Sequence, residues 1–436
     1  MSLRAYLNKI RQQGGLIEIQ KPISKHLALA GLLKALEPSP VLCSEVIESP
    51  FPVIGNLVCT KETFADYLGI PVQAIIPTLI QAIEAHSPPR VTTAAPCQEV
   101  IHENPDLDQL PIPFHCEGDG GNYISSGVMI AGHPHYGQNM DFHRCMQFSK
   151  TEMAVRVVKG RNFDAFLQDL GQVDVAICVG VSPNILIAGA TSVEIGLNEL
   201  EIANALQPFE VVKAHTSDLL IPADAEFVIE GTVYRDRRHE EGPFVDLTET
   251  QDVVRQEPVL VVKCITHRHD ALWHALLPGG LEHKLLMGMP REPTIFREVS
   301  QVVQCLDVNI NPGGCSWLHA IVQIRKVNPD DGRKAIEAAH RGHSSCKHIF
   351  VVDEDIDIYD PLSVEWAMAT RFQADRDLVI LGRERGSSLD PSAQPGTYET
   401  CKVGFDLTAP LDSGGKPFAK VPFPQVDLEQ YLGGRE

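Results

Sequence analysis

The chain has 436 residues, 44% of them apolar and 22% charged, with 57 acidic side chains against 37 basic ones and a formal charge of −20. That length exceeds one ordinary core and points to two or three domains, and the charged fraction is too low for a disordered chain. So negative a balance excludes a broad nucleic-acid or anionic-membrane surface, while leaving room for a local basic pocket.

Leu3, Tyr6, Leu7 and Ile10 recur at helical spacing, and Gly14-Gly15 ends the pattern. Residues 16–19, 40–43 and 52–58 read as short strands between turn residues, with helical segments near 61–86. This predicts a small α/β unit over residues 1–100. Residues 96–113 form a proline-punctuated, mostly extended connection. From Tyr123 strands dominate, at 124–130, 154–158, 173–179, 226–233 and 259–265, and predict a sheet-rich, barrel-like middle domain over 101–300. The run Arg235 to Glu240 has the look of a charged surface loop. Beyond Thr294, strands at 320–324 and 348–352 alternate with helices at 332–339 and 364–370, a third, α/β domain over 301–436. The tail from Ser387 is rich in Gly, Pro and Ser and predicts loops. No internal repeat is visible.

The eleven cysteines are spread singly, with no Cys-x-x-Cys pair, so a zinc ribbon or redox dithiol is not indicated. The opening residues lack the apolar stretch of a signal peptide, and no apolar run reaches the ~20 residues of a membrane span. Cytoplasmic localisation, with the thiols as small core residues, is the expectation.

Three segments carry residues suited to chemistry. Asn139 and Arg144 lie five apart; an arginine is the natural fork for a carboxylate or phosphate, although an interdomain ion pair would use it equally well. Glu199 and Glu201 open an apparent helix, where acids are also favoured by the helix dipole alone. Glu241 and Asp246 flank a Gly-Pro turn; close carboxylates near an arginine suit acid–base work, and a charged loop is the plainer alternative. Cys264, His267 and His269 lack a fourth metal ligand at a usual spacing. The acidic string at 353–357 lacks the central Gly and terminal Glu of a calcium loop. There is no Walker loop and no Gly-x-Gly-x-x-Gly.

Taken together, the sequence resembles the UbiD family of decarboxylases. The resemblance rests on Pro111-Ile112-Pro113, Tyr123 to Gly127, Asn139 with His143-Arg144, Asn198 to Glu201, Ile221 to Gly231, Glu241 to Asp246 and Val352 to Asp357, in that order and spacing. The length and the stretch Gly279 to Pro293 resemble a compact subgroup that includes archaeal anhydromevalonate phosphate decarboxylases. The resemblance implies an N-terminal α/β segment, a central split β-barrel that binds prenylated FMN, and a C-terminal α/β oligomerisation domain. It implies a cofactor made by a separate flavin prenyltransferase, held through Mn²⁺ or another divalent cation and K⁺. It also implies a homodimer or hexamer.

By position, Asn139, Glu199 and Asn162 fall on the family's metal ligands, and Arg144, Glu241 and Asp246 on its catalytic acid–arginine–acid network. His143, Arg144, Arg161, Thr191, Ser192 and Lys347, with the metal ligands, fall on or near cofactor-contacting positions. The sequence departs from the family in three places: Asn162 stands where the third ligand is usually His, Asp246 where the last acid is often Glu, and Val245 where Gly is common. The implied activity is reversible, non-oxidative decarboxylation of an α,β-unsaturated or aromatic acid. Arg144 would bind the carboxylate, Glu241 would orient Arg144, and Asp246 would return the proton. The alternatives are a flavin-free, metal-dependent hydrolase and a non-catalytic flavin-binding homologue.

Overall fold

The computed structural model describes residues 1–412, 417–418 and 420–432; the rest of the expected tail loops, at 413–416, 419 and 433–436, lies outside the described residues. The middle of the chain forms a nine-stranded sheet. Its path runs through Asn122–Ile124, Cys145–Gln147, Glu152–Val155, Arg255–His267, Phe227–Glu241, Gln172–Val179, Val128–His133 and Gly137–Phe142, and Val100–His102 pairs alongside Arg255–His267. Successive strand residues face opposite ways. Ala176, Cys178 and Val228 pack with Ile185, Leu186 and Ile202 of two covering helices, while Val175, Ile177 and Ile229 pack with Phe163 and Phe166 on the other side. Both faces are therefore buried along residues 227–233, where the sequence alternates as though one side faced outward.

The two long central strands diverge from the sequence reading. Phe227–Glu241 continues through the charged run, pairing Arg238 to Glu241 with Pro258 to Arg255 after a register shift, so that run is the outer end of a strand and not a loop. A second irregularity falls at Gly231, where a Cβ would come within 2.2 Å of the Val261 carbonyl oxygen; only glycine permits that approach. The strand expected at 124–130 is broken in two. Ser125 and Ser126 turn out of the ladder and donate their hydroxyls to the Leu276 and His274 carbonyls at 2.6 and 2.5 Å.

The N-terminal sheet has four strands, Ile17–Ile19, Val41–Cys43, Val53–Gly55 and, from far along the chain, Trp273–His274. The C-terminal sheet has five, ordered Gln304–Asn309, His319–Arg325, His348–Asp353, Glu399–Asp406 and Leu378–Arg385. Helix Asp331–Gly342 covers one face through Ala335, Ile336 and Ala339, and Pro361–Arg371 covers the other through Val364 and Ala367. Strand Glu399–Asp406 lies inside the tail that composition assigned to loops; its parallel pairing with His348–Asp353 outweighs the Gly and Pro around it. No single helix among the described residues is long and apolar enough to cross a membrane.

The first helix, Leu3–Gln12, is pinned to the central sheet by charge. Glu226 is fully buried and accepts two hydrogen bonds from Arg4, both at 2.7 Å, and one from the Leu272 amide. Removing Arg4 strands a buried carboxylate whose remaining cationic neighbour among the described residues is Arg268, at 3.9 Å. Arg4→Ala is expected to cost roughly 3 kcal/mol. Asp270→Ala, which removes Arg4's exposed partner, should cost well under ~1 kcal/mol. Comparing the unfolding midpoints of the two variants checks this, and equal losses would sink it.

Candidate active site

Arg144 follows strand Gly137–Phe142, immediately before Cys145–Gln147, and its side chain is 8% exposed. Its Nε and Nη2 donate to the two oxygens of Glu241 at 2.8 and 3.0 Å, the bidentate arrangement that suits a planar guanidinium. Nη1 donates to Asp246 Oδ2 at 2.5 Å, and Nη2 also donates to Asp252 Oδ2 at 2.8 Å. The Phe244 ring lies against the guanidinium, 4.6 Å from its centre. These bonds use four of the five guanidinium N–H groups and leave one on Nη1. Burial alone would lower the arginine's pKa, but Glu241, Asp246 and Asp252 outweigh it and raise it further.

The three acids come from one short piece of chain. Glu241 is the last residue of its strand and fully buried, and Tyr123 donates its hydroxyl to Glu241 Oε1 at 3.2 Å. The chain then turns through Gly242, at φ +100°, into a small hairpin of Phe244–Val245 and Gln251–Asp252 that carries Phe244, Asp246 and Asp252 around Arg144. Asp119 props this hairpin by accepting from the Val245 amide at 3.1 Å. Asp252 is gripped a second time, by Arg255 at 2.6 and 2.7 Å. Nothing in the sequence had singled out Asp252; its role depends on the hairpin folding back. His283 was also passed over. Its Nδ1 accepts from the Gly279 amide at 3.0 Å, which places the proton on Nε2 in the neutral ring; burial lowers its pKa, against the pull of the Asp246 charge.

A second cluster lies around Asn139. Glu199 is 2% exposed, and its Oε2 accepts from the Met140 amide at 2.7 Å, which brings it beside Asn139. Burial, with Asp141 adding, pushes its pKa up to about 8, and among the described residues no cationic side chain offsets this. Asn139 is 3% exposed and its Nδ2 has no partner. Asn162, at the start of helix Asn162–Leu170, donates Nδ2 to the Val193 carbonyl at 3.3 Å, which leaves its carbonyl oxygen available. A buried carboxylate without a cation, with the Asn139 amide beside it, suits a hard divalent ion. Among the described residues no cluster of three or more His, Cys, Asp or Glu forms a richer metal site.

The other sequence candidates lie as follows. His143 is buried, with Nδ1 bonded to the Arg156 carbonyl at 2.9 Å and Nε2 2.8 Å from Asp141 Oδ1, close enough for an ion pair but without hydrogen-bond geometry. Thr191 donates its hydroxyl to Ile187 at 2.8 Å, and Ser192 bonds Arg291. Arg161 is exposed at the N-cap position beside Asn162. Lys347 pairs with Asp390 at 2.9 Å and Ser392 at 2.5 Å. Asp353 and Asp355 jointly hold the buried Arg371, at 2.6 Å each, so the acidic string is an ion-pair anchor.

The N-terminal, Rift-related and C-terminal domains of the 3-octaprenyl-4-hydroxybenzoate carboxy-lyase family (UbiD) match residues 7–83, 90–281 and 284–407. The chain is 40% identical over 423 residues to an anhydromevalonate phosphate decarboxylase of Methanothermobacter thermautotrophicus, covering 95% of this chain and 98% of the relative. A second enzyme of that name, from Methanocaldococcus jannaschii, is 37% identical over 97% of this chain and its own full length. The UbiD-class enzyme HmfF from Pelotomaculum thermopropionicum, solved with FMN, superposes with a TM-score of 0.96 at 34% identity, covering 99% of this chain and 100% of that one. An evolved dimeric form of HmfF, in complex with prFMN, gives 0.91 at 33%, covering 99% and 100%.

Asp252 supplies a test of the ring of acids. Burial pushes its pKa up, but Arg255 and Arg144 bond it and hold it at about 2. Because the folded value is depressed, the stabilisation is complete above about pH 4 and is lost as pH falls through the folded value. Asp252→Asn is therefore expected to lower stability by about 2 kcal/mol at neutral pH, with the gap to wild type closing below about pH 4. Unfolding midpoints of both proteins across this range check it; a gap that does not change with pH would count against the ion pair.

Proposed function

The chain belongs to the UbiD family of carboxy-lyases, and from that premise we propose that this site carries out reversible, non-oxidative decarboxylation of an α,β-unsaturated or aromatic carboxylic acid with prenylated FMN. The observation that carries the reading is the buried Arg144, ringed by Glu241, Asp246 and Asp252. Prenylated FMN, when bound, supplies the electron sink for loss of CO₂. The protein's own residues bind, orient and move the proton.

Glu241 fixes the plane of Arg144 through its two bonds, so the free N–H on Nη1 and the N–H now given to Asp246 point in a set direction. A substrate carboxylate fits there, taking Nη1 from Asp246. The substrate carboxylate would join the three acids already on Arg144, and Asp246, which gives up its single bond, is the one we assign to carry the proton. When CO₂ leaves, Asp246 delivers the proton to the carbon that lost it, and in the carboxylation direction it removes it. Phe244, Tyr123 and the hairpin exclude water around this exchange. Asn139, Glu199 and Asn162 would hold a divalent cation, Mn²⁺ by family likeness, with K⁺ beside it and His143, Arg161, Thr191, Ser192 and Lys347 around the cofactor.

The wider reading is a cytoplasmic homodimer or hexamer with domains at 1–100, 101–300 and 301–436, supplied with cofactor by a flavin prenyltransferase. A small unsaturated acid is its partner.

Asp246→Asn, co-expressed with a flavin prenyltransferase and purified anaerobically, is expected to keep the flavin spectrum while losing ~10²–10⁴-fold in turnover. CO₂ exchange on a panel of unsaturated acids reads this out, and full activity would remove Asp246 from the role. Glu199→Gln is expected to abolish retention of manganese, measured by elemental analysis after loading and desalting. Retention at the wild-type level would place the metal elsewhere.

A further inference from the structure

The hairpin that carries Asp246 is short. Each of its strands, Phe244–Val245 and Gln251–Asp252, has two residues, and a two-stranded hairpin has little stability of its own. Its turn sets the direction of Asp246. The Asp246 amide donates to the Thr250 carbonyl at 3.1 Å, and the Glu249 amide donates to the Asp246 carbonyl at 2.8 Å. Asp246 Oδ1 accepts from the Leu247 amide at 2.7 Å, so the Oδ2 that meets Arg144 points where the turn points. Glu249 sits in that turn at φ +59°, in the left-handed region that favours glycine. A glutamate keeps such a conformation where its surroundings impose it.

Those surroundings are one end of helix Leu281–Gly288. Lys284 on that helix is buried, and its ammonium donates to Glu249 Oε1, its one ion-pair partner among the described residues. Gly279, just before the helix, packs on the same turn. A Cβ there would come within 2.9 Å of Glu249 Cγ and 3.1 Å of the Asp246 carbonyl oxygen. The helix itself is firmly seated. Glu282 is buried and accepts from the Leu57 and Val58 amides at 3.1 and 3.2 Å, and Glu37 accepts from the Leu281 amide at 2.6 Å. A fixed helix thus reaches through Lys284 to the tip of a hairpin that is weak by itself. The plainer role is an ordinary ion pair at the surface, since Glu249 is half exposed and exposed pairs contribute little. Against it, Lys284 is withdrawn from water, and its partner holds a strained conformation three residues from Asp246.

We propose that Lys284 and Glu249 are positioning residues for the proton donor: their ion pair fixes the turn that aims Asp246 at the carbon that loses CO₂. Neither touches the reacting atoms. Their part in proton delivery rests on the decarboxylase reading; their hold on the hairpin does not.

The test compares full-length wild type, Lys284→Met, Glu249→Asn and the double variant, each loaded with prenylated FMN. Methionine keeps the packing of the lysine stem without its charge, and asparagine removes the carboxylate while tolerating the left-handed turn. Each single variant is expected to lose about tenfold or more in kcat for CO₂ exchange, with KM within about twofold of wild type. The double variant should lose no more than either single one, since both break the same contact. Losses that add, or turnover kept at the wild-type level in Glu249→Asn, would overturn the proposal. So would opposite shifts of the kcat–pH profile with its plateau kept, because the two charges would then tune Asp246 rather than place it. In the same proteins without substrate, hydrogen exchange of the amides in 244–252 is expected to quicken, with the rest of the chain unchanged. Unaltered exchange there overturns the proposal even if turnover falls. Absence of CO₂ exchange in the loaded wild type would refute the decarboxylase reading, and amide exchange would still decide whether the pair holds the hairpin. Should Lys284→Met fail to fold, Glu249→Asn, changed at a half-exposed side chain, decides both arms.

Discussion

The site depends on one buried guanidinium. Taking a charged group out of water is tolerable only if it is paired and its hydrogen-bonding groups are satisfied. Arg144 meets that condition through Glu241, which is itself wholly buried and would be stranded without it. Much of the surrounding architecture exists to bring the two together. Strand Phe227–Glu241 must run on past its apolar half to reach Arg144, and the following hairpin must fold back to present Asp246 and Asp252. Glu241 holds the arginine with two bonds, while Asp246 holds it with one, from the nitrogen that retains a spare N–H. In the reaction we propose, that asymmetry would separate the orienting acid from the exchangeable one.

The central sheet supplies the rigidity. With both faces covered, its strands cannot slip by one residue without turning apolar side chains away from their packing partners. Asn139 and Arg144 are therefore set in register by the strands they adjoin. Beside this frame the buried Glu199 carboxylate accepts from the Met140 amide and, among the described residues, has no cationic side chain against it. A divalent cation there would supply the missing countercharge.

Where the sequence misled, composition had been read without pairing. Arg235 to Glu240 is polar enough for a loop, yet it pairs opposite Pro258 to Arg255 as the exposed end of a long strand. Glu399–Asp406 sits in a Gly- and Pro-rich tail, yet it completes the C-terminal sheet. In each case the deciding partner lies at a distance along the chain that local propensity does not sense.

The residues themselves determined the order of elements, the apolar strands of a twice-buried sheet, and, through the spacing of Asn139, Arg144, Glu199, Glu241 and Asp246, the family and its chemistry. Those features are local patterns or a fixed order of residue types, and both survive in a linear text. Only the tertiary structure decided that Asp252 shares Arg144, across 108 residues, and that Arg291 meets Ser192, across 99. Such contacts are set by how strands pair and how a hairpin returns. An aspartate or arginine that makes one is indistinguishable in sequence from the many that only face water.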